Sequence, residues 1–372
     1  MARIRTIYGN EALLVGPSPA TGAQPATGIK RIHRVQTLGN TFDYGLETVN
    51  EYGKANAIDR INLEGTTNTV EFSYLAVDFE NEKNLGFTIG SNTSAIADIL
   101  NKSQDDRNYY RFVAPEGLDA EGLAASAGAV MAVGNGFLSS YSFEAAVGAF
   151  PTATISVSGL NTATYLNGVA QDTPAVDPTT GRKAAGAFTL PTIAAPSDSK
   201  PTVIQPGGVK VVFSNPDAGV FQSLAPNDLI VQSASVSFDL NLEEIRGLGS
   251  RLVVSREVEF PVDVTVTIEA LMSDLQEANL VNLLCEEEPT DITINLYTSD
   301  CDEDGPVLDD IYAKIIVKNT KITNQDLSGT IGPSHTVSMT FLGQIGAAND
   351  SGNGVSFSGV YGYSGSTPLF SA

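Results

Sequence analysis

Two stretches decide how this sequence folds: IVQSASVSFDLNL at residues 230–242 and EVEFPVDVTVTIEA at residues 257–270. In the first, Ile230, Ala234, Val236, Phe238, Leu240 and Leu242 share one parity. Ser233, Ser235, Ser237, Asp239 and Asn241 take the other, with Gln232 the single intrusion. In the second, Val258, Phe260, Val262, Val264, Val266, Ile268 and Ala270 alternate with Glu257, Glu259, Asp263, Thr265, Thr267 and Glu269. A period of two describes a strand with one buried and one wet face. Read as one strand at ~3.3 Å per residue, Glu257 to Ala270 spans roughly 45 Å. Its wet face carries the carboxylates of Glu257, Glu259, Asp263 and Glu269 and no Lys or Arg.

Working outward, the same period recurs. Val70, Phe72 and Tyr74 stand opposite Glu71 and Ser73 in Thr69–Leu75. Phe137, Tyr141, Phe143, Ala145 and Val147 stand opposite Ser140, Ser142 and Glu144. Further strands are expected at Ile29–Leu38, Ile58–Leu63, Arg107–Ala114, Thr152–Ser158, Val209–Ser214, Asp291–Tyr297, Ile311–Ile322 and His335–Ile345. Ser94 reads as the cap of a short helix over Ala95–Asn101. Leu271, Leu275, Ala278, Leu280 and Leu283 approximate a helical stripe with Ser273 as its cap. The segment Gly117–Gly134 reads equally as a short helix or a packed loop. Strands greatly outnumber helices, so the expected fold is all-β, an antiparallel sandwich or barrel with one or two short helices.

One β domain is expected over residues 1–345. Within it, residues 1–28 read as an extended arm and residues 159–228, rich in Thr, Pro, Ala, Gly and Asp, as a loop-rich surface insertion. Residues 346–372 are Gly/Ser-rich and read as a tail that orders only on a partner.

The totals exclude several classes of function. A net charge of -22 over 372 residues argues against nucleic-acid binding, which relies on Lys and Arg neutralising phosphates. It disfavours an anionic membrane surface for the same reason. It suits a protein that meets DNA without holding it. The two cysteines, Cys285 and Cys301, are too few for a disulfide scaffold. The first residues do not read as a signal peptide, and no stretch approaches the ~18 apolar residues of a membrane span. Folding in a reducing cytoplasm is the expectation.

Catalytic patterns are weak. His33 and His335 lie in strand-like segments, no nucleophile elbow is present, and Gly247-Leu248-Gly249 lacks the third glycine of a dinucleotide fingerprint. Asp300-Cys301-Asp302-Glu303-Asp304-Gly305 matches the first half of a calcium loop, but the twelfth position is Ile311 where a bidentate Glu is needed. It reads as an acidic turn between strands, with a weak cation site as the alternative. Glu257 and Glu259 form part of a row rather than a glycosidase pair. The expectation is no catalytic residue, no metal, no cofactor and no enzyme activity.

A set of features resembles the tail tube (major tail) proteins of long-tailed bacteriophages. They are the opening Ile7-Tyr8-Gly9-Asn10, then Asp106-Arg107-Asn108-Tyr109-Tyr110, Gly136-Phe137-Leu138, the break Val147-Gly148-Ala149-Phe150-Pro151 and the strand end Ser156–Gly159. The paired segments Val236–Leu242, Ile245–Gly249 and Arg256–Val264, with Glu259-Phe260-Pro261, complete it. The resemblance implies a β-sandwich with a flanking helix whose sheets join around a ring, usually of six copies. Rings would stack into a tube built around a tape measure protein. The implied partners are the chain itself, the baseplate or tail tip, the terminator and, in a contractile tail, a sheath. The implied location is the virion tail, assembled in the host cytoplasm, with DNA passing through without specific binding. On that reading Asp239, Glu257, Glu259, Asp263 and Glu269 are the candidate lumen-facing acids. The rival readings are a capsid decoration, baseplate or adhesin module and, against the absence of Trp, a carbohydrate-active β-sandwich enzyme.

Overall fold

The structure, a computed structural model, describes residues 8–18, 28–62, 67–90, 93–101, 106–177, 180–194, 203–213, 230–248, 253–271, 289–302, 305–328, 336–350 and 352–359. In chain order the first strands are β1 (Glu11–Pro17), β2 (Lys30–Arg31), β3 (Val35–Asp43), β4 (Leu46–Val49), β5 (Asp59–Asn62) and β6 (Thr67–Leu75). Two short helices follow, α1 (Glu80–Leu85) and α2 (Ala97–Leu100). The middle of the chain holds β7 (Arg107–Val113), β8 (Ala129–Ala146), β9 (Thr152–Gly159) and β10 (Asn161–Tyr165). Four two-residue strands come next: β11 (Gln171–Asp172), β12 (Val176–Asp177), β13 (Arg182–Lys183) and β14 (Ala187–Phe188). Then come β15 (Val209–Phe213), β16 (Ile230–Asp239), β17 (Leu242–Arg246), β18 (Val253–Val258) and β19 (Val262–Leu271). The last strands are β20 (Thr290–Asp302), β21 (Gly305–Ser328), β22 (Thr336–Ile345) and β23 (Gly354–Gly359). The fold is all-β, with every ladder between these strands antiparallel.

The strands form three connected layers. The main sheet runs β3-β6-β9-β8-β16-β19-β22-β21. A second sheet, β15-β20-β21-β23, uses the first part of β21, and a third, β2-β1-β7-β8-β10, uses the first part of β8. The two long strands therefore belong to two sheets each. Each changes sheet at an asparagine in the left-handed region, Asn135 (φ 53°) and Asn319 (φ 55°). Asn tolerates that conformation at lower cost than most residues, so it supplies the bend. Beside Asn135, a Cβ on Gly136 would come within 2.6 Å of the Tyr109 ring. Glycine is what lets β8 pass that close.

One core fills the space between the layers. Val236, Phe238, Val264, Val266, Ile268, Met339 and Phe341 from the main sheet meet Ile292, Ile294, Leu296, Ile315, Val317, Val355 and Phe357 from the second. Phe87 packs edge-on against Tyr141 and Phe357 at centroid separations of 5.2 and 5.4 Å. A satellite cluster (Leu14, Tyr110, Phe112, Phe188, Leu190, Ile193) covers the other side of the third sheet.

Several expectations are corrected. Glu257–Ala270 is not one long strand: β18 ends at Val258 and β19 begins at Val262. Pro261 has no N–H for a ladder, and Phe260 is 49% exposed, so the register cannot run through. Part of the expected arm is core, because Ala12, Leu13, Leu14 and Val15 are buried on both faces of β1. Part of the expected tail is core as well: β23 pairs with β21 and buries Val355 and Phe357 completely. Residues 129–134, inside the ambiguous segment, are the start of β8. The helix expected at Ala95–Asn101 spans only Ala97–Leu100, and its N-cap residue is Ile96 rather than Ser94, with no side-chain cap bond. The expected insertion contains, besides the expected strand at β15, the strand β10, which pairs with β8. The helical stripe 271–283 beyond Leu271, His335, Cys285 and residues 360–372 lie outside the described residues.

Candidate functional site

The outward face of the main sheet spans eight strands. Register carries one parity across it. Glu71 stands opposite Ser156, Ser156 opposite Ser140, and Ser140 opposite Asp239. Two rungs along, Glu144, Ser235, Thr267 and Thr340 follow one another, and beyond them Ser233, Glu269, Ser338 and Asp326. The face is built of Ser and Thr hydroxyls interspersed with Asp43, Glu71, Glu144, Asp239, Asp263, Glu269 and Asp326. Among the described residues of these eight strands, Lys321 is its single cation. Two of the acids are tied to neighbours: Ser233 Oγ donates to Glu269 at 3.1 Å and Gln344 Nε2 to Asp263 at 3.0 Å. Such a face presents hydrogen-bonding groups everywhere and repels a polyanion.

Of the five candidate acids, Asp239, Asp263 and Glu269 share this face. Glu257 and Glu259 do not lie on it. Glu257 faces Glu243 in the separate β17–β18 ladder, and Glu259 N donates to Asn241 O in the linker that follows. Glu71 and Glu144 join in their place. Their parity was readable in their own strands, but Glu71 meets Ser156 and Glu144 meets Ser235 across roughly 85 and 91 residues of chain, which leaves no local signal.

The β17–β18 hairpin is held against the sheet by Arg256, whose Nη1 donates to Ser158 O at 2.7 Å and Nη2 to Glu244 at 3.3 Å. Burial lowers the affinity of this guanidinium for its proton, and Glu244 opposes that effect.

Beneath the sheet lies a buried acid. Glu82 is fully buried, and the Tyr141 hydroxyl donates to its Oε1 at 3.4 Å. Burial pushes its carboxyl from 4.5 up to about 8, with Asp78 adding to the rise, while hydrogen bonds from its surroundings pull the other way. Burial and the neighbouring Glu82 push the Tyr74 and Tyr141 hydroxyls upward in turn. On the same helix, Asn81 clamps His33: its Oδ1 accepts from His33 N and its Nδ2 donates to His33 O, both at 2.9 Å. Burial lowers the His33 pKa, against the pull of Glu80. His33 is thus held within the fold by its backbone.

The main sheet ends in two open edges. Among the described residues β3 pairs only with β6, and β21 beyond Thr320 pairs only with β22. From the β3 edge the β4–β5 hairpin projects with Tyr44 (66% exposed), Leu46 (60%) and Ile61 (42%) in solvent.

A cleft of about 650 Å³ lies between β1, the start of β3 and residues 119–121. Two ion pairs border it, Arg111 with Glu11 at 2.7 Å and Arg31 with Glu121 at 3.5 Å. Among the described residues no group of three or more His, Cys, Asp and Glu side chains is arranged to hold a metal. The acidic motif at Asp300–Asp302 forms the end of the β20–β21 ladder, with Asp300 opposite Val307 and Asp302 opposite Gly305. No helix among the described residues is long and apolar enough to cross a membrane.

The fold and its surface define an all-β chain of antiparallel layers with one large hydroxyl-rich, acidic sheet face. No protein-family model matches the chain, and no curated protein matches it. Among solved structures it is similar to the SPP1 tail tube, determined by solid-state NMR and cryo-EM, at 10% identity. That match covers 44% of this chain and 80% of the other, with a TM-score of 0.31. At that level of superposition the likeness is loose and settles neither fold nor function.

Proposed function

We propose that this chain is a structural virion protein that assembles with itself into rings and stacks them into a tail tube, with its acidic face lining a channel for DNA. The observation that carries this reading is the eight-stranded main sheet, which combines a wet, hydroxyl-rich acidic face with two edges left unpaired among the described residues. Unpaired edges in a sheet of this size are an aggregation hazard unless another chain covers them, and closure into a ring removes them. A heterologous contact that closes gives a ring, and repetition along the axis gives a tube. The acidic face would keep DNA phosphates from being held by ion pairs during passage. On this reading the chain is not an enzyme and needs no cofactor. Its partners are further copies of itself, as a homohexamer, together with the tape measure, tail tip or baseplate and terminator proteins.

Charge reversal on the face tests the lumen assignment. With Glu71, Asp263 and Glu269 replaced by Lys, assembly should persist while DNA release from reconstituted particles slows. Unchanged release would remove this face from the channel. A stable compact trimer of the purified chain would favour a capsid decoration or adhesin module instead.

A further inference from the structure

We infer that the turn from Asp78 to Gly86, which contains α1, is a proton-operated latch. With the Glu82 carboxyl protonated it holds the connector Ile32, His33 and Arg34 strained at the entrance to β3. Loss of that proton frees the connector while the sheets stay folded.

The connector is the strained part. Arg34 takes a left-handed backbone conformation (φ 61°), which is costly for a residue with a long side chain. Such a conformation persists only where its surroundings impose it. Arg34 Nη1 donates to Asp78 Oδ1 at 3.4 Å, with the two side chains 9% and 0% exposed. The backbone of His33 is gripped at both its N–H and its C=O by the Asn81 side chain. Leu75 N donates to Arg34 O at 3.1 Å. Two of these three grips, Asp78 and Asn81, belong to the turn that also carries Glu82.

The turn in its place depends on an acid without a counter-charge. Glu82 is fully buried. The groups that face it are the Tyr74 hydroxyl from β6, the Tyr141 hydroxyl from β8 and the Asp78 carboxyl that precedes α1, and none of them is a cation. The rings of Phe87, Phe238 and Phe357 lie 5.2 to 5.4 Å from that of Tyr141 between centroids. An ionised carboxylate there loses its hydration without gaining an ion pair. The side chain therefore keeps its proton up to about pH 8. Once ionised, it reaches water most readily by movement of α1 itself. That helix has six residues and no side-chain cap at its N-terminus, so little besides tertiary packing holds it.

The sign follows from linkage. The closed latch binds the proton more tightly than an open one, in which the carboxyl returns to its ordinary value of 4.5. Closure is therefore strongest below about pH 4.5, weakens about tenfold per pH unit as pH rises, and levels off above about 8. Burial lowers the His33 pKa below 6.5, so its imidazole is neutral through the upper half of this range. Arg31, Ile32, Arg34 and Val35 also line the cleft of about 650 Å³, so release of the connector reshapes one of its walls.

Hydrogen exchange of the full chain, followed by mass spectrometry and divided by the intrinsic rate, tests the latch. Peptides covering 32–35 and 79–87 should lose protection about tenfold per pH unit between roughly pH 5.5 and 7.5. Sub-denaturing urea should leave that loss unchanged, because a local opening exposes little surface. Peptides of β19 should stay better protected at every pH and respond to urea. In Glu82→Gln the slope should vanish from both latch peptides. A protonated-carboxyl band in the infrared difference between about pH 6 and pH 9.5 gives a second readout, since ordinary carboxylates are already ionised at pH 6. That band should be present in the wild-type chain and absent from Glu82→Gln. Asn81→Ala should free 32–35 at every pH while 79–87 keeps its slope. Equal protection and equal urea response in all three regions would overturn the latch, because Glu82 would then titrate only through global unfolding. A slope that survives Glu82→Gln, or a missing band, would overturn the assignment of the proton to Glu82. A connector that keeps its slope in Asn81→Ala would overturn its coupling to α1.

Discussion

Asn135 and Asn319 do the same job at two distant points of the chain: each takes a left-handed backbone conformation where a long strand leaves one sheet for another. Their side chains differ in commitment. Asn135 is buried and clamps Val176, accepting from its N at 2.6 Å and donating to its O at 3.1 Å. At Asn319 the exposed side chain donates to Asn353 Oδ1, and the backbone N–H is held by Asp291 Oδ1 at 2.9 Å, a bond that survives side-chain replacement. Alanine at either site should cost about 1–2 kcal/mol for the left-handed backbone. Glycine should recover most of that at Asn319 and little at Asn135, where the buried Val176 groups lose their partner. Thermal unfolding of the four variants checks this, and equal rescue at both sites would contradict it.

Glu82 makes stability depend on pH. Its folded pKa of about 8 lies above the unfolded value near 4.5, so the native state binds the proton more tightly. Stability is therefore fully present below about pH 4.5 and falls as pH rises toward 8. The total change is roughly 3–5 kcal/mol by linkage at 1.36 kcal/mol per unit. His33, with its lowered pKa, acts oppositely and only below its unfolded value of 6.5. Urea unfolding at pH 5 and pH 8.5 should show the wild-type chain weaker at the higher pH. Glu82→Gln should lose most of that slope, and an unchanged slope would mean that Glu82 is not the group responsible.

The β17–β18 hairpin depends on Arg256. Arg256→Ala removes its bonds to Ser158 O and Glu244 and should cost about 1.5–3 kcal/mol locally. Hydrogen exchange should then accelerate in Leu242–Val258 and stay unchanged in β16 and β19. Uniform acceleration would show that the hairpin is not a separable unit.

Phe357 holds β23 in the core, against Phe79 at 4.9 Å and Phe87 at 5.4 Å between ring centroids. Phe357→Ala should cost about 3–5 kcal/mol, the usual range for a buried Phe. A loss below 1 kcal/mol, measured by denaturant unfolding, would return Gly354–Gly359 to the status of a surface tail.

That last case marks where sequence reading stops. The alternation at 230–239 and 262–270 disclosed the all-β class and the parity of Asp239, Asp263 and Glu269, because each signal sits inside one strand. The period carried on through Glu257 and Glu259 although the strand did not, since a period of two is silent about where a proline breaks the ladder. Val355 and Phe357 were hidden by the surrounding Gly and Ser, whose small side chains fit closely packed strands as well as they fit a linker. β1 was hidden for the opposite reason: buried on both faces, it shows a short apolar run with no alternation. The cross-strand companions Glu71 and Glu144 belong to ladders that only the folded sheet defines.

The most direct test of the account is a cryo-EM reconstruction of particles assembled from the purified chain across a concentration series. The account predicts hollow tubes of stacked rings, with the main sheet continuous between copies and Glu71, Asp263 and Glu269 facing the channel. Tubes whose channel is lined by the opposite side of the subunit, or a closed particle without a channel, would contradict it.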